Sequence, residues 1–263
     1  MKKIFLIAGL ALFSSCTTLQ KSTSQPFSWE GANLYFLLTD RFQNGDKSSD
    51  INFGRTEKAA VLRGFEGGDL RGIIQKIDDN YFTDLGINAI WMTPIVEQIH
   101  GASDEGTGKT YGFHGYWAKD WTALDPNFGT KADLKKHNKK AHEKGIRIVL
   151  DAVVNHTGPV TAIDPVYPNS WVRTSPQCEY DNYINTTACT LVANLPDVLT
   201  ESNLNAALPK MLEEKWKEEG RYESEVKSLN EFFAKYNFPK APKYYIMKWL
   251  ADYIKEYGIF FFF

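Results

Sequence analysis

Three short, continuously apolar runs constrain this chain of 263 residues most: Asn33 to Thr39, Asn88 to Pro94 and Ile146 to Val154. A strand apolar on both faces belongs in a sheet covered on both faces, and such sheets are parallel. Parallel strands need long crossovers, usually helical, and the intervening segments have the pattern for them. Leu70, Ile73, Ile74, Ile77, Tyr81 and Leu85 recur near helical spacing before Gly86. Thr130 followed by Asp133 resembles a capping box and opens a second helix that runs to Gly145. Pro242 stands near the first turn of a third, with Ile246, Trp249, Leu250, Tyr253, Ile254 and Tyr257 on one face before Gly258. The class is therefore α/β, either an open doubly wound sheet or a closed barrel. No Gly-x-Gly-x-x-Gly follows any strand, which weakens a dinucleotide-binding reading.

Between about His156 and Pro239 the strand-helix alternation stops, an interval too long for an ordinary loop. Its charged run, Glu213 to Lys227, predicts a solvated helix. An interval of that size after one strand predicts a small inserted subdomain, placed where a barrel carries its active-site loops. Lys+Arg 30 against Asp+Glu 32 gives a net charge of -2, so nothing points to nucleic acid as a partner.

The first residues are an address. Lys2 and Lys3 precede the apolar run Ile4 to Phe13, then Ser14 and Ser15 stand before Cys16. This is the signal-peptide pattern, and the run is too short to span a bilayer. Cys16 directly after two small residues resembles a bacterial lipoprotein cleavage site. It predicts a leader over 1–15, lipidation at Cys16, a polar tether over 16–28, and attachment of an exported protein to a membrane through the lipid. A plain secretory signal is the alternative. In an oxidising compartment, Cys178 and Cys189 across a short polar loop suggest a disulfide. Two free thiols or a metal pair would need nearby His or Cys partners.

The chemistry-bearing residues gather at strand ends. Asp151-Ala152-Val153-Val154-Asn155-His156 closes the third run with three polar side chains, which must meet a ligand, an ion or one another. A capped strand end would read the same way. Tyr111-Gly112-Phe113-His114-Gly115-Tyr116-Trp117, then Asp120 and Trp121, offers aromatic faces for sugars with His and Asp for their hydroxyls. Asn44, Asp46, Ser49, Asp50 and Asp69 supply closely spaced oxygens that suit a hard cation such as calcium, although Asx capping of a polar turn also accounts for them.

Taken together, Tyr35 to Phe42, Gly67-Gly68-Asp69-Leu70-Arg71-Gly72, Ala89 to Pro94, His114 to Trp117, Asp151 to His156 and Asn194-Leu195-Pro196-Asp197 closely resemble the N-terminal part of the α-amylase family, glycoside hydrolase family 13. The resemblance runs from about Trp29 to Ile259. It implies the N-terminal part of a (β/α)8 TIM barrel, about three βα units over 29–155. A calcium-binding subdomain would be inserted over 156–239, and a helix and the start of strand four would follow over 240–263. It further implies retaining cleavage of α-1,4-glucans such as starch or maltodextrin. Tyr116 would stack on the sugar beside the scissile bond, His156 and His114 would bond its hydroxyls, Trp117 would line the cleft, and Asp151 would brace the site. Asn155 and Asp197 would ligate one calcium; Asn44, Asp46, Asp50, the backbone of Gly67, and Asp69 match a second calcium site of some members. His100, His137 and His142 match nothing and read as surface residues.

Retaining glycosidases use two carboxylic groups about 5 Å apart. The family carries its nucleophile at the end of strand four, in Gly-Ile-Asp-Gly-Phe-Arg-x-Asp, and its acid/base beyond it; here Tyr257-Gly258-Ile259 leads into Phe260 to Phe263. A closed barrel takes about 250 residues. The expectation is therefore a truncated chain that lacks both catalytic carboxylates and is inactive and poorly folded alone. The alternative is a non-catalytic glycan-binding lipoprotein.

Overall fold

The apolar runs pair in parallel and in register. The computed structural model describes residues 27–179, 188–259 and 261–262; the leader, Cys16 and most of the tether lie outside the described residues. In chain order the elements begin with β1 (Leu34–Leu37), α1 (Thr39–Phe42), α2 (Leu70–Asp78) and α3 (Tyr81–Asp84). There follow β2 (Ala89–Met92), β3 (Val96–Gln98), β4 (Ser103–Asp104), β5 (Lys109–Thr110) and β6 (Ala118–Leu124). After α4 (Lys131–Glu143) and β7 (Arg147–Leu150) come β8 (Val172–Arg173) and β9 (Asp197–Val198). The chain then forms α5 (Lys210–Glu218), α6 (Tyr222–Tyr236), α7 (Pro242–Tyr257) and β10 (Phe261–Phe262).

Strands β1, β2, β7 and β10 lie side by side in that order in one parallel sheet. Tyr35, Ile90 and Ile148 form one cross-strand row, and Leu37, Met92 and Leu150 another. These rows face the helices and belong to the main apolar core. Because strand side chains alternate, the rows between them face the other way, and one of these is Phe36, Trp91 and Val149. Leu34 and Phe36 remain 46% and 45% exposed, so β1 is not the fully buried strand its composition predicts. It is the edge of the described sheet, and its outward row lacks a covering layer.

Local signals account for the helix ends. The Asp69 side chain caps α2 by accepting from Gly72 N at 2.7 Å. Thr130 and Asp133 make the reciprocal capping box of α4. Pro242 opens α7, and Gly258 closes it with φ 68°. The expected single helix from Leu70 to Leu85 is two: Asn80, at φ 62°, adopts the left-handed conformation that asparagine tolerates and separates α2 from α3. Leu85 consequently stays exposed.

The segment 156–239 shares this core rather than building its own. Trp171 and Trp216 are fully buried, and Trp249 of α7 stacks on both Trp121 and Trp171 at centroid distances of 6.5 and 5.9 Å. The indole N–H groups of Trp121, Trp171 and Trp216 reach Val153 O, Ala207 O and Thr122 Oγ1, satisfying the polar end of each large ring. The charged run at Glu213 to Lys227 is not a solvated helix. It is the end of α5 and the start of α6, broken around Gly220, and Lys215 Nζ turns inward to buried Glu97 and, at 2.7 Å, to buried Asp120. Cys178 and Cys189 form a disulfide with an S–S distance of 2.07 Å.

His137 corrects a further expectation. It lies on the inner face of α4, fully buried, with Nδ1 beside Asn138 Oδ1 at 2.9 Å, while Asn138 Nδ2 donates to Tyr257 O at 2.7 Å and holds the end of α7. His100 is half-buried, stacked on Phe53 at 3.8 Å and bonded to Glu97.

Arg55 is the most heavily engaged side chain. Nη1 donates to Asp125 Oδ1 and Asn127 Oδ1, and Nη2 to Asp125 Oδ2, Gln98 O and Ile99 O, all between 2.7 and 3.1 Å. With Asp125 fully buried, removing the guanidinium strands a carboxylate in the interior. Arg55→Met should cost about 3–5 kcal/mol, measured by urea denaturation; a loss below about 1 kcal/mol would show that the pair does not organise this region.

Candidate functional site at the carboxyl ends of the strands

The site begins where β7 stops. Asp151 N donates to Met92 O at 2.9 Å, extending the ladder one residue beyond β7 and presenting the Asp151 carboxylate past the strand end. The Tyr116 hydroxyl donates to Asp151 Oδ2 at 2.8 Å. Tyr116 N donates to His114 Nδ1 at 3.0 Å, and His156 Nε2 lies 3.0 Å from Tyr116 O. Of the sequence-predicted sugar-binding set, His114, His156 and Asp151 are thus gathered on one residue, Tyr116, the histidines at its backbone and Asp151 at its hydroxyl.

These contacts set the tautomers. A carbonyl only accepts, so His156 carries its proton on Nε2; an amide N–H only donates, so His114 Nδ1 is an acceptor and its proton sits on Nε2. Burial, then the charges of Arg41, Arg63 and His156, push His114 down to about 4. Burial also lowers His156, opposed by its bond to the Tyr116 carbonyl. Burial and the Asp151 carboxylate hold the Tyr116 phenol protonated far above its usual range. At neutral pH the cluster is two neutral imidazoles, a neutral phenol and one carboxylate. It can stack on and hydrogen-bond a neutral polyhydroxyl ligand, and neither the imidazoles nor the phenol is poised for proton transfer near neutrality.

Trp117 is 6% exposed and packs with Ile99 and Leu195, its ring edge-on to His114. Its backbone is clamped on both sides: Gln98 Oε1 accepts from Trp117 N at 2.7 Å, and Ile99 N donates to Trp117 O at 3.0 Å. Gln98 escaped the sequence reading, although a glutamine inside an apolar strand is a signal that it must be bonded. Arg41 was missed as well. Its guanidinium lies 3.8 Å over the Phe113 ring and donates to Leu62 O and Gly64 O, pinning the polar loop against the aromatic one.

The two expected calcium sets differ in how they are assembled. Asn155 and Asp197 are neighbours, since His156 bridges Asp197 and Val198 N donates to Asn155 O at 2.8 Å. Asp197 also has Arg173 Nε at 3.0 Å, and burial, with Glu201 nearby and Arg173 opposing, raises it to about 6. In the other set, Asn44 Nδ2 donates to Asp50 Oδ1 at 2.8 Å while Asn44 Oδ1 is buried without a partner. Gly67, at φ 90°, closes on the same point: a Cβ there would stand 2.3 Å from Asn44 Nδ2 and 2.5 Å from Asp50 Oδ1. Asp46 and Asp69 are otherwise engaged, Asp46 with Ser48 and Arg71, Asp69 with the amides of Gly45, Asp46 and Gly72. Among the described residues no three His, Cys, Asp or Glu side chains converge as metal ligands. The unpartnered Asn44 oxygen beside a carboxylate nonetheless fits a hard, oxygen-seeking cation.

Known proteins resemble this chain in sequence and fold. A sequence profile described as the alpha-amylase catalytic domain matches residues 36–254. The periplasmic alpha-amylase of Escherichia coli (strain K12) is 32% identical across 95% of this chain and 42% of its own length. A cyclomaltodextrin glucanotransferase of Geobacillus stearothermophilus is 37% identical across 51% of the chain and 19% of its own length. Among solved structures, an Anoxybacillus alpha-amylase superposes with a TM-score of 0.60 at 26% identity, over 90% of this chain and 41% of that one. The Geobacillus thermoleovorans alpha-amylase complexed with acarbose gives 0.57 at 26% identity, over 90% and 40%. The chain thus spans less than half the length of each of these relatives.

The buried histidines make acid stability a direct test. His114 and His137 fall to about 4 when folded, both through burial first, against about 6.5 in an unfolded chain. A depressed histidine binds fewer protons folded than unfolded, so its stabilisation is complete above pH ~6.5 and is lost as the pH falls toward ~4. The melting temperature should decline steadily through that window, and His114→Gln should flatten the decline; a flat profile in the parent chain would contradict burial of both rings.

Proposed function

The chain belongs to the alpha-amylase family, and on that premise we propose that it forms the α-glucan-binding N-terminal part of an exported, retaining glycoside hydrolase acting on starch or maltodextrin. The observation that carries this reading is Tyr116, whose hydroxyl donates to Asp151 while two neutral histidines, His114 and His156, hold its backbone N–H and carbonyl. Tyr116 presents an apolar face to a glucose ring. His156 and His114 orient hydroxyls, and Asp151 fixes the phenol and braces the strand end.

The parallel sheet with helical crossovers fits the first three βα units of a barrel, with 156–239 as the insertion. The outward row Phe36, Trp91 and Val149 fits the packed barrel interior. Bound calcium would neutralise carboxylates and fasten loops, held by Asn155 and Asp197 on one side and by Asn44, Asp50 and Gly67, with Asp46 and Asp69 behind them, on the other. The leader over 1–15 and lipidation of Cys16 would anchor the exported protein to a bacterial membrane, in keeping with a periplasmic relative. Labelled palmitate should enter the protein and be lost in Cys16→Ser; unlabelled parent protein would remove the anchor.

Retention requires two carboxyl groups about 5 Å apart. Asp151 is the carboxylate in contact with this cluster, and Tyr116 already occupies it. The 263-residue chain should therefore bind maltoheptaose without releasing reducing sugar from starch. Tyr116→Ala should weaken that binding about tenfold, the loss of one stacked ring, while Tyr116→Phe keeps most of it. Intrinsic tryptophan fluorescence reads the binding. Measurable starch hydrolysis would show that the chain supplies its own second carboxylate, and equal affinity for Tyr116→Ala would move the sugar elsewhere.

A further inference from the structure

A second aromatic and amide-lined surface lies at the junction of α6 and α7, away from the Tyr116 cluster. Phe238 stacks between Tyr236 and Tyr244, with centroid distances of 5.7 and 4.4 Å and interplanar angles of 16° in both pairs. Tyr236 is 49% exposed; Phe232 packs against its ring at 5.2 Å, and the Lys235 ammonium stands 4.8 Å from its centroid. Beside this stack an open groove of about 620 Å³ is lined by Asn205, Asn230, Phe233, Asn237, Phe238 and Lys240, among others. Among the described residues no carboxylate lines it.

The groove is held in shape by its own bonds. Asn205 Oδ1 accepts from Lys240 N at 2.8 Å, and Ala206 N donates to Lys240 O at 2.8 Å. Lys240 Nζ donates to Asn230 Oδ1 at 3.3 Å. With both amide oxygens engaged, Asn205 and Asn230 keep their NH2 groups as donors. Asn237, in the left-handed conformation at φ 52°, ends α6 and turns the chain so that Phe238 can enter the stack. Rigid rings beside fixed amide donors, without an acidic group, suit a neutral polyhydroxyl ligand with apolar ring faces.

Its position has a further consequence. Helix α7 runs from this junction to β10, and β10 pairs in parallel with β7. A helix crossing back between parallel neighbours starts at the carboxyl end of the strands. The groove therefore lies at the same end of the sheet as Asp151 and Tyr116, where a long polysaccharide can approach both.

We propose that the Tyr236–Phe238–Tyr244 stack and the groove beside it form a second α-glucan-binding surface, which holds polymeric substrate apart from the Tyr116 site. The proposal rests on the α-glucan reading of the Tyr116 cluster for its ligand class. Native affinity electrophoresis of the full chain in gels containing soluble starch tests it, with maltotriose titration by tryptophan fluorescence reporting the Tyr116 site separately. The single variant Asn230→Ala leaves the ring stack intact and should keep the parent melting temperature; the double variant Tyr236→Ala, Asn230→Ala also removes a ring that packs on Phe232 and Phe238. The double variant should weaken starch retention about tenfold and leave the maltotriose response unchanged, whereas Tyr236→Phe should be retained like the parent. Retention of the double variant equal to the parent, or no retention of the parent itself, would overturn the proposal. If retention is lost in the double variant while Tyr116→Ala changes neither retention nor the maltotriose response, the second surface stands and the Tyr116 reading fails.

Discussion

A single buried guanidinium links the polar loop, the aromatic segment and the strand end of this molecule. Arg55 comes from the polar segment that also carries Asn44, Asp50 and Gly67, and it grips Asp125 just past the end of β6. Asp125 in turn accepts from Gln98 N at 3.0 Å, and the Gln98 side chain holds Trp117 N at 2.7 Å. Trp117 adjoins Tyr116, whose hydroxyl rests on Asp151. A charge inside a protein is expensive unless it is paired, and here the two terminal nitrogens of Arg55 make five bonds to four residues, while its Nε is buried without a partner. The same expense gives the arrangement its rigidity: the loop, the aromatic segment and the strand end can move only together.

That rigidity suits the chemistry of the cluster. His114 and His156 are held neutral by burial, and Tyr116 is kept protonated by burial and by Asp151. None of these groups is tuned for acid-base work near neutrality, which needs a pKa close to the working pH. What they offer is a fixed ring face and fixed donors, so that a sugar bound as proposed would meet a surface whose ordering has already been achieved in folding.

The α/β class, the capping box at Thr130, the disulfide and the Tyr116–Asp151–His156 grouping were all legible in the sequence, because each depends on a local pattern or on a motif at a strand end. What was not legible depended on partners distant in the chain. A histidine on a lysine-rich helix reads as surface, yet His137 is buried because α4 packs that face inward and because Asn138 reaches Tyr257, 119 residues away. Glu213 to Lys227 reads as solvated because composition does not reveal that Glu97 and Asp120, about a hundred residues earlier, await Lys215. The break at Asn80 was visible in principle, since an Asp-Asn pair is turn-prone, but the apolar spacing on both sides concealed it.

Lys215 also bears on how independent the segment 156–239 can be. Its ammonium is raised by Asp120 and Glu97 against the cost of burial, and Arg221 adds a further contact to Asp120 at 3.3 Å. Asp120, held low by Lys215 and Thr122 despite complete burial, sits on β6, only four residues after Tyr116 in the chain. An acidic group on β6 and basic groups in the segment 156–239 cannot be separated without leaving buried charge on one of them. Trp171 and Trp216 reinforce this, since their rings meet Trp249 of α7 rather than a core of their own. The segment is therefore part of the machinery that positions Tyr116, and its folding and that of the sheet are one process.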